Sequence, residues 1–157
     1  MKGEGGIFLF AFKEVGYLTD QEIDLILYKK VPAEMARFYV PAYHFKIKRH
    51  LSQVEVGRID IRIGYTENTF YGGNIGYEIY APFRGNHYAK KACEVIKRVG
   101  QMHGMKYLYI ACVNENIASN KTCQHLQATY LGHFQIPLYH EMYTMGIKSI
   151  NIYQWFI

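Results

Sequence analysis

Hydrophobic and polar positions alternate through the first half of the chain, then switch to helical spacing. Between Glu22 and Lys29, Ile23, Leu25 and Leu27 share one face, a period of two that predicts a strand ended by Val31-Pro32. Ala42 to Lys48 repeats the pattern, with Tyr43, Phe45 and Ile47 against His44, Lys46 and Lys48. In the third run Val54, Val56, Ile59, Ile61 and Ile63 oppose Arg58, Asp60 and Arg62, and Gly57 interrupts the alternation where a bulge is expected. Thr66 to Gly73 reads as the connection to a fourth strand, Asn74 to Tyr80, so these two strands should form a hairpin, and Pro82 stops the second of them.

From Asn86 the period changes. Ala89, Ala92, Cys93, Ile96 and Val99 form a helical stripe ending near His103-Gly104. Tyr107 to Val113 then predicts a buried strand, and Ile117 to about Ala128 a second helix capped by Asn114 or Asn116. Two further strands, about Thr129 to Ile136 and Ile147 to Phe156, complete the pattern across a loop containing Pro137 and Gly146. Ile7 to Phe12 fits either an added edge strand or a cover over a cleft.

Composition narrows what such an α/β chain does. At 157 residues and 50% hydrophobic it suits a single domain, 1–157, with an ordinary core. Apolar runs are far shorter than the roughly 20 residues a membrane helix needs, and no signal peptide is apparent. Cys93, Cys112 and Cys123 lack metal or disulfide spacing, which argues for a reducing cytoplasm and against zinc. The net charge of +5 suits an anionic ligand, but the bases are spread along the chain. Fifteen tyrosines among scattered bases would also allow an RNA-associated domain, though nucleic acid is the weaker expectation.

The chemistry concentrates in two segments. Gly76-Tyr-Glu-Ile-Tyr-Ala-Pro-Phe-Arg84-Gly-Asn-His-Tyr-Ala89 runs from strand through a glycine turn into a helix. Asn114-Glu-Asn-Ile-Ala-Ser-Asn120 opens the next helix. The first turn of a helix leaves N–H groups unpaired and its dipole favours negative charge, so a phosphate-bearing ligand is expected.

Residues Ile75 to about Leu131 resemble the GNAT superfamily of N-acetyltransferases, in its bacterial ribosomal-protein-acetyltransferase-like branch. Arg84-Gly85-Asn86-His87-Tyr88-Ala89 is similar to the family's pyrophosphate turn, Arg/Gln-x-x-Gly-x-Gly/Ala, with His87 in place of the central glycine. Asn116-Ile-Ala-Ser119 is similar to the family's second element; further on, Cys123 stands where many members carry tyrosine and Gln127 where many carry glycine.

The resemblance implies a mixed, mostly antiparallel sheet of about six to seven strands, splayed between strands four and five, with a CoA-binding helix after strand four. The CoA-binding core would span about 54–131. Acetyl-CoA would be the acyl donor, without metal, and the acetyl group would pass directly to an amine. The pantetheine arm would lie along Tyr77, Glu78 and Ile79 as an extra strand, and Arg84, Gly85, Asn86, His87, Tyr88, Ala89, Asn116 and Ser119 would hold the rest. No carboxylate stands at Gly72-Gly73-Asn74, where the family's base would lie, so Glu78 and Asp60, expected roughly opposite each other, are the candidate bases. The same residues fit a solvated charge ladder with Arg58 and Arg62. Cys123 could protonate the departing thiolate or simply pack. Only Val31 to Pro41 separates the first two strands, where the family has two helices, so the acceptor cleft should be open or completed by a second copy, as in a homodimer, or by the N-terminal segment. The loop from Leu138 to Met145 reads as a surface turn near that cleft. A non-catalytic acyl-CoA sensor is the alternative to an enzyme.

Overall fold

A computed structural model of the protein describes residues 10–157. Its strands are β1 (Leu18–Thr19), β2 (Ile23–Val31), β3 (Ala42–Arg49), β4 (Glu55–Arg62), β5 (Ile75–Ile79), β6 (Tyr107–Cys112), β7 (Thr129–Gln135) and β8 (Ser149–Phe156). The helices are α1 (Glu67–Gly72), α2 (Tyr88–Met102), α3 (Ile117–His125) and α4 (Glu141–Thr144). Two antiparallel sheets result, β1-β2-β3-β4-β5 and β6-β8-β7. The eight strands exceed the expected six to seven because the short β1 adds an edge, pairing Leu18 with Leu25.

The alternation seen in sequence becomes a two-sided sheet. Tyr43, Phe45 and Ile47 of β3 and Ile59 and Ile61 of β4 are buried beneath α2, whose Ala92, Cys93, Val95, Ile96 and Val99 complete the same core. Burying an aliphatic side chain of this size stabilises by about 1.5–3 kcal/mol, which is why the helical stripe seats itself there. The polar residues of β3 and β4 turn to the other face. A register irregularity between Ile47 and Lys48 places the bulge beside Gly57. A Cβ on Gly57 would lie 2.2 Å from the Glu78 carbonyl oxygen, so only glycine lets β5 approach β4 there.

The connection from Thr66 to Gly73 is not a plain turn but contains α1. The Thr66 side chain accepts from the Thr69 N–H, and Thr69 Oγ1 accepts from the Thr66 N–H at 2.8 Å, a reciprocal cap that nucleates a short helix. Phe70 of α1 then packs on Tyr109 and Phe134, in a second cluster with Ile136, Ile150 and Ile152. The segment from Leu138 to Met145 is likewise more than a surface turn. It forms α4, whose Glu141 accepts from the Tyr39 hydroxyl (2.5 Å) and from Arg37 (3.1 Å), tying it to the 3-10 turn Met35–Arg37 between β2 and β3. Of the expected strand Ile7 to Phe12, residues 7–9 lie outside the described residues. Residues 10–12 form no strand, and Phe12 packs edge-on against Tyr43.

The two sheets meet at Asn74. Its N–H donates to the Tyr109 carbonyl (2.7 Å), and its side-chain oxygen accepts from the Tyr109 N–H (2.9 Å). Its side-chain amide donates to the carbonyls of Arg62 (3.0 Å) and Gly64 (2.8 Å), and Asn74 itself is fully buried. Past this point β5 and β6 share no ladder and diverge. Asn74→Ala would leave the Tyr109 N–H and two buried carbonyls without their partners, each costing about 1–3 kcal/mol. A fall in Tm of at least roughly 6 °C is expected in thermal unfolding, at about 2–4 °C per kcal/mol for a domain of this size.

Candidate active site

The divergence of β5 and β6 opens a cleft of about 590 Å³, lined by Tyr77, Ile79, Arg84 and Tyr88 on one side and Asn116, Ser119 and Thr122 on the other. Glu78, Gly85, His87 and Ala89 of the sequence-derived set also line it. Asn86 turns back instead, its side-chain amide donating to the Phe83 carbonyl (2.9 Å). The edge of β5 facing the gap is set by ladder alternation. Arg62 N–H donates to the Asn74 carbonyl and Tyr80 N–H to the Val56 carbonyl, so even-numbered residues bond β4. Tyr77 therefore turns its N–H and C=O toward the gap. Arg84 Nε already donates to the Ile79 carbonyl (3.0 Å), closing the edge at that end.

The two helix starts at the cleft differ. Asn116 caps α3, its side-chain oxygen accepting from the Ser119 N–H (3.0 Å), which resolves the choice between Asn114 and Asn116. At α2 the cap residue His87 makes no side-chain capping bond, and the first-turn amides find no side-chain acceptor among the described residues. The 15-residue α2 thus presents the open, positive end of a dipole, while α3 satisfies its own. Arg84, Lys121 and His125 add basic groups to the same cleft.

At the deep end, the Tyr77 hydroxyl lies 2.7 Å from Ser119 Oγ, and Cys112 Sγ lies 3.2 Å beyond it. Burial pushes the Tyr77 hydroxyl well above its ordinary value, so it stays protonated as a donor. Cys123 is wholly buried behind this chain, 3.7 Å from Cys112, and does not line the cleft. Its hydrogen bond with Cys112 and its burial both push the thiol up.

The polar face of the first sheet carries a second pocket of about 290 Å³, lined by Tyr28, His44, Arg58, Asp60, Gly76 and the edge residues Tyr77 and Glu78. Asp60 and Glu78 both reach it, but they are not opposite each other. Asp60 pairs with Gly76, and Glu78 with Arg58. The β4–β5 ladder runs without irregularity from the helical connection, two residues away from the register counted from an assumed hairpin tip. Burial raises the Asp60 carboxyl above the usual carboxylate range, against the pull of Arg62 and His44. His44, the cross-strand partner of Asp60, went unread as a site residue because in sequence it is one polar position in an alternating strand. Phe83, Ala118, Lys121, Thr122 and His125 of the cleft were missed similarly, since only the fold brings α3 against the turn before α2.

Residues 17–129 match the Acetyltransferase (GNAT) domain family. The chain belongs to the GNAT acetyltransferases. Among solved structures, it is similar to the microcin C7 self immunity acetyltransferase MccE in complex with acetyl-CoA and AMP, at 26% identity and a TM-score of 0.57, covering 74% of this chain and 61% of that one. It is also similar to the ribosomal L7/L12 alpha-N-protein acetyltransferase RimL in complex with coenzyme A, at 14% identity and TM-score 0.63, covering 90% of this chain and 98% of that one. An acetyltransferase from Salmonella typhimurium that modifies the N-terminal serine of L7/L12 shares 18% identity at TM-score 0.55, covering 78% and 66%. The chain thus spans less than two thirds of the microcin protein's length. No curated protein matches the sequence. Among the described residues no helix is long and apolar enough to cross a membrane, and no group of three or more His, Cys, Asp or Glu residues could hold a metal ion.

Within this GNAT domain, the two departures from the family's glycine pattern keep the glycine backbone. His87 sits at φ 58° and Gln127 at φ 58°, both in the left-handed region. A side chain there costs about 1–2 kcal/mol. His87→Gly relieves that cost but gives back about 0.5–1 kcal/mol of unfolded-chain freedom. A gain of about 1 kcal/mol at most is expected, read as Tm rising by up to roughly 4 °C. His87→Val, β-branched at positive φ, should lower Tm instead.

Proposed function

We propose that the protein moves an acetyl group from acetyl-CoA directly to an amine. The observation that carries this reading is the cleft itself, an unpaired β5 edge beside the uncapped start of α2, with Tyr77 and Ser119 at its deep end. The pyrophosphate would rest against the α2 amides near Gly85 and His87, with Arg84 and Lys121 beside it. The pantetheine arm would add to the edge as a strand, bonding the Tyr77 backbone. Asn116 supports the arrangement by capping the start of α3 where that helix lines the cleft.

The thioester would then reach the level of Tyr77 and Ser119. Attack by the amine lone pair on the carbonyl carbon breaks the C–S bond, and the thiolate must be neutralised. Tyr77, protonated and 2.7 Å from Ser119 Oγ, supports proton supply from this pair rather than from the buried Cys123. On the amine side Glu78 is exposed, makes no ion pair among the described residues, and lines both pockets, which suits it to receive an ammonium. Asp60 lies one pair further along the same face. MccE and RimL carry acetyl-CoA or coenzyme A in their solved structures, in agreement with this donor.

Acetyl-CoA at 100 times its dissociation constant should add about 2.7 kcal/mol of stability in a thermal-shift measurement. The absence of a shift would sink the donor assignment, and a shift without release of CoA thiol in any amine panel would mark a sensor instead. Tyr77→Phe should keep acetyl-CoA binding within a few-fold while lowering kcat about tenfold, the equivalent of about 1.4 kcal/mol. Glu78→Gln should raise KM for the amine about tenfold with kcat nearly unchanged, the signature of lost uniform binding.

A further inference from the structure

The second pocket lies on the face of the sheet opposite α2, and Tyr77 and Glu78 belong to both cavities. The donor cleft and this pocket therefore approach the same two residues of β5 from different sides. No side chain stands between at Gly76, where a Cβ would come within 2.8 Å of Asp60 Oδ1. The Asp60 side chain is 17% exposed, and its Oδ2 is buried with no hydrogen-bond donor among the described residues. Arg62 Nε lies 3.1 Å from that oxygen but off the hydrogen-bond direction. Burying this carboxylate is costly, and the Arg62 guanidinium offsets its charge while leaving Oδ2 without a donated hydrogen bond. Behind it on β3, His44 is only partly buried, makes no hydrogen bond among the described residues, and also lines the pocket.

The pocket is divided by charge. Glu78 and Asp60 lie along the β5 side. Arg58, register partner of Glu78, makes no ion pair with it; its side chain is 54% exposed, reaches Glu55 only at 3.5 Å, and lies over the Tyr28 ring. Cation and carboxylate thus line one pocket without pairing with each other, complementary to a molecule that carries its own opposite charges.

We propose that this pocket receives the acceptor, an amine bearing an anionic group close to its nitrogen, with Arg58 holding the anion and Asp60 and His44 carrying the ammonium proton away. The proposal rests on the acetyl-transfer reading above. An N–H bond of the ammonium breaks and its proton passes to the Asp60 carboxylate and on, through one water, to an imidazole nitrogen of His44, its cross-strand partner. The freed lone pair forms the C–N bond as the C–S bond of the thioester breaks, and the sulfur leaves with its electron pair. Burial, seconded by Lys29 of β2 and Arg62 of β4 and opposed by Asp60, holds the imidazole below its ordinary value, so His44 is neutral and ready to accept near pH 7. Glu78 of β5 and Arg58 of β4 are the other charged groups facing it.

The test uses phosphoethanolamine, β-alanine, ethanolamine and putrescine with acetyl-CoA, following CoA thiol release. Phosphoethanolamine or β-alanine should exceed ethanolamine and putrescine at least tenfold in kcat/KM, and Arg58→Glu should abolish or reverse that order. His44→Gln should lower kcat about a hundredfold, within the range for general-base removal. It should also flatten the acid limb of the pH–rate profile, which in the wild type falls as pH drops through the His44 value, while acetyl-CoA binding and Tm stay unchanged. Equal or better turnover of putrescine with no effect of Arg58→Glu, or full kcat and an unaltered profile in His44→Gln, would overturn the proposal. So would a protein that binds acetyl-CoA yet turns over none of the four amines. Loss of acetyl-CoA binding itself would instead count against the donor reading. In that event NMR of the His44 ring during titration with phosphoethanolamine decides the pocket, and an unmoved ring resonance rejects it.

Discussion

One asparagine side chain sets where the two sheets part. Asn74 spends every polar group it has on joining β4, β5 and β6, in a place from which water is excluded. Its side-chain amide imitates one more residue of strand for Tyr109, so the pairing of β5 with β6 is complete at that residue and absent beyond it. The cleft exists because the imitation cannot be continued: Ile75, Tyr77 and Ile79 have no partner strand on that side. An unpaired edge is normally a liability. Here it is short, flanked by Pro82 and by Arg84 bonded to the Ile79 carbonyl, and suited to a single extended ligand.

The same economy governs the ends of the helices. Two helix starts flank the cleft, and only α3 is capped by its own side chain. An exposed helix start without a cap forgoes about 1 kcal/mol, and an anion at that point restores more through charge and hydrogen bonds together. The suitability of this helix start for an anion thus follows from a missing cap as much as from the basic residues around it. That His87 and Gln127 adopt left-handed backbone without being glycine indicates that the path of the chain at the turn is imposed by α2 and α3 docking on β5 and β6, and the residue conforms.

The polar face of the first sheet shows what a short connection leaves open. Between β2 and β3 the chain has only a 3-10 turn, fastened to α4 by Tyr39, Arg37 and Glu141. Nothing from this segment covers Tyr28, His44 or Arg58. The outward face of β3 and β4 is left as a charged surface with a pocket beside the unpaired edge.

Alternation at a period of two determined β2 to β5 and the inward sets Tyr43-Phe45-Ile47 and Ile59-Ile61, because residue order alone assigns the face of a strand. The helical stripe determined α2, and the turn at Arg84 to Ala89 with the cap at Asn116 pointed to the anion end of the cleft, since helix starts are written in local sequence. Local sequence also held the reciprocal cap of Thr66 and Thr69, but in a segment already read as a turn. What the chain order could not supply was register and depth. The helical connection α1 leaves β5 two residues from the expected alignment against β4, which sets Glu78 against Arg58 and leaves Asp60 over Gly76. Whether Cys123 faces the cleft or the core depends on how α3 is rotated against β6, a choice made by Asn120 and Ser119 in contacts with β6 and β8. His44 became part of a site only when three strands lay side by side, because proximity across a sheet is a property of pairing and is not encoded at any one position.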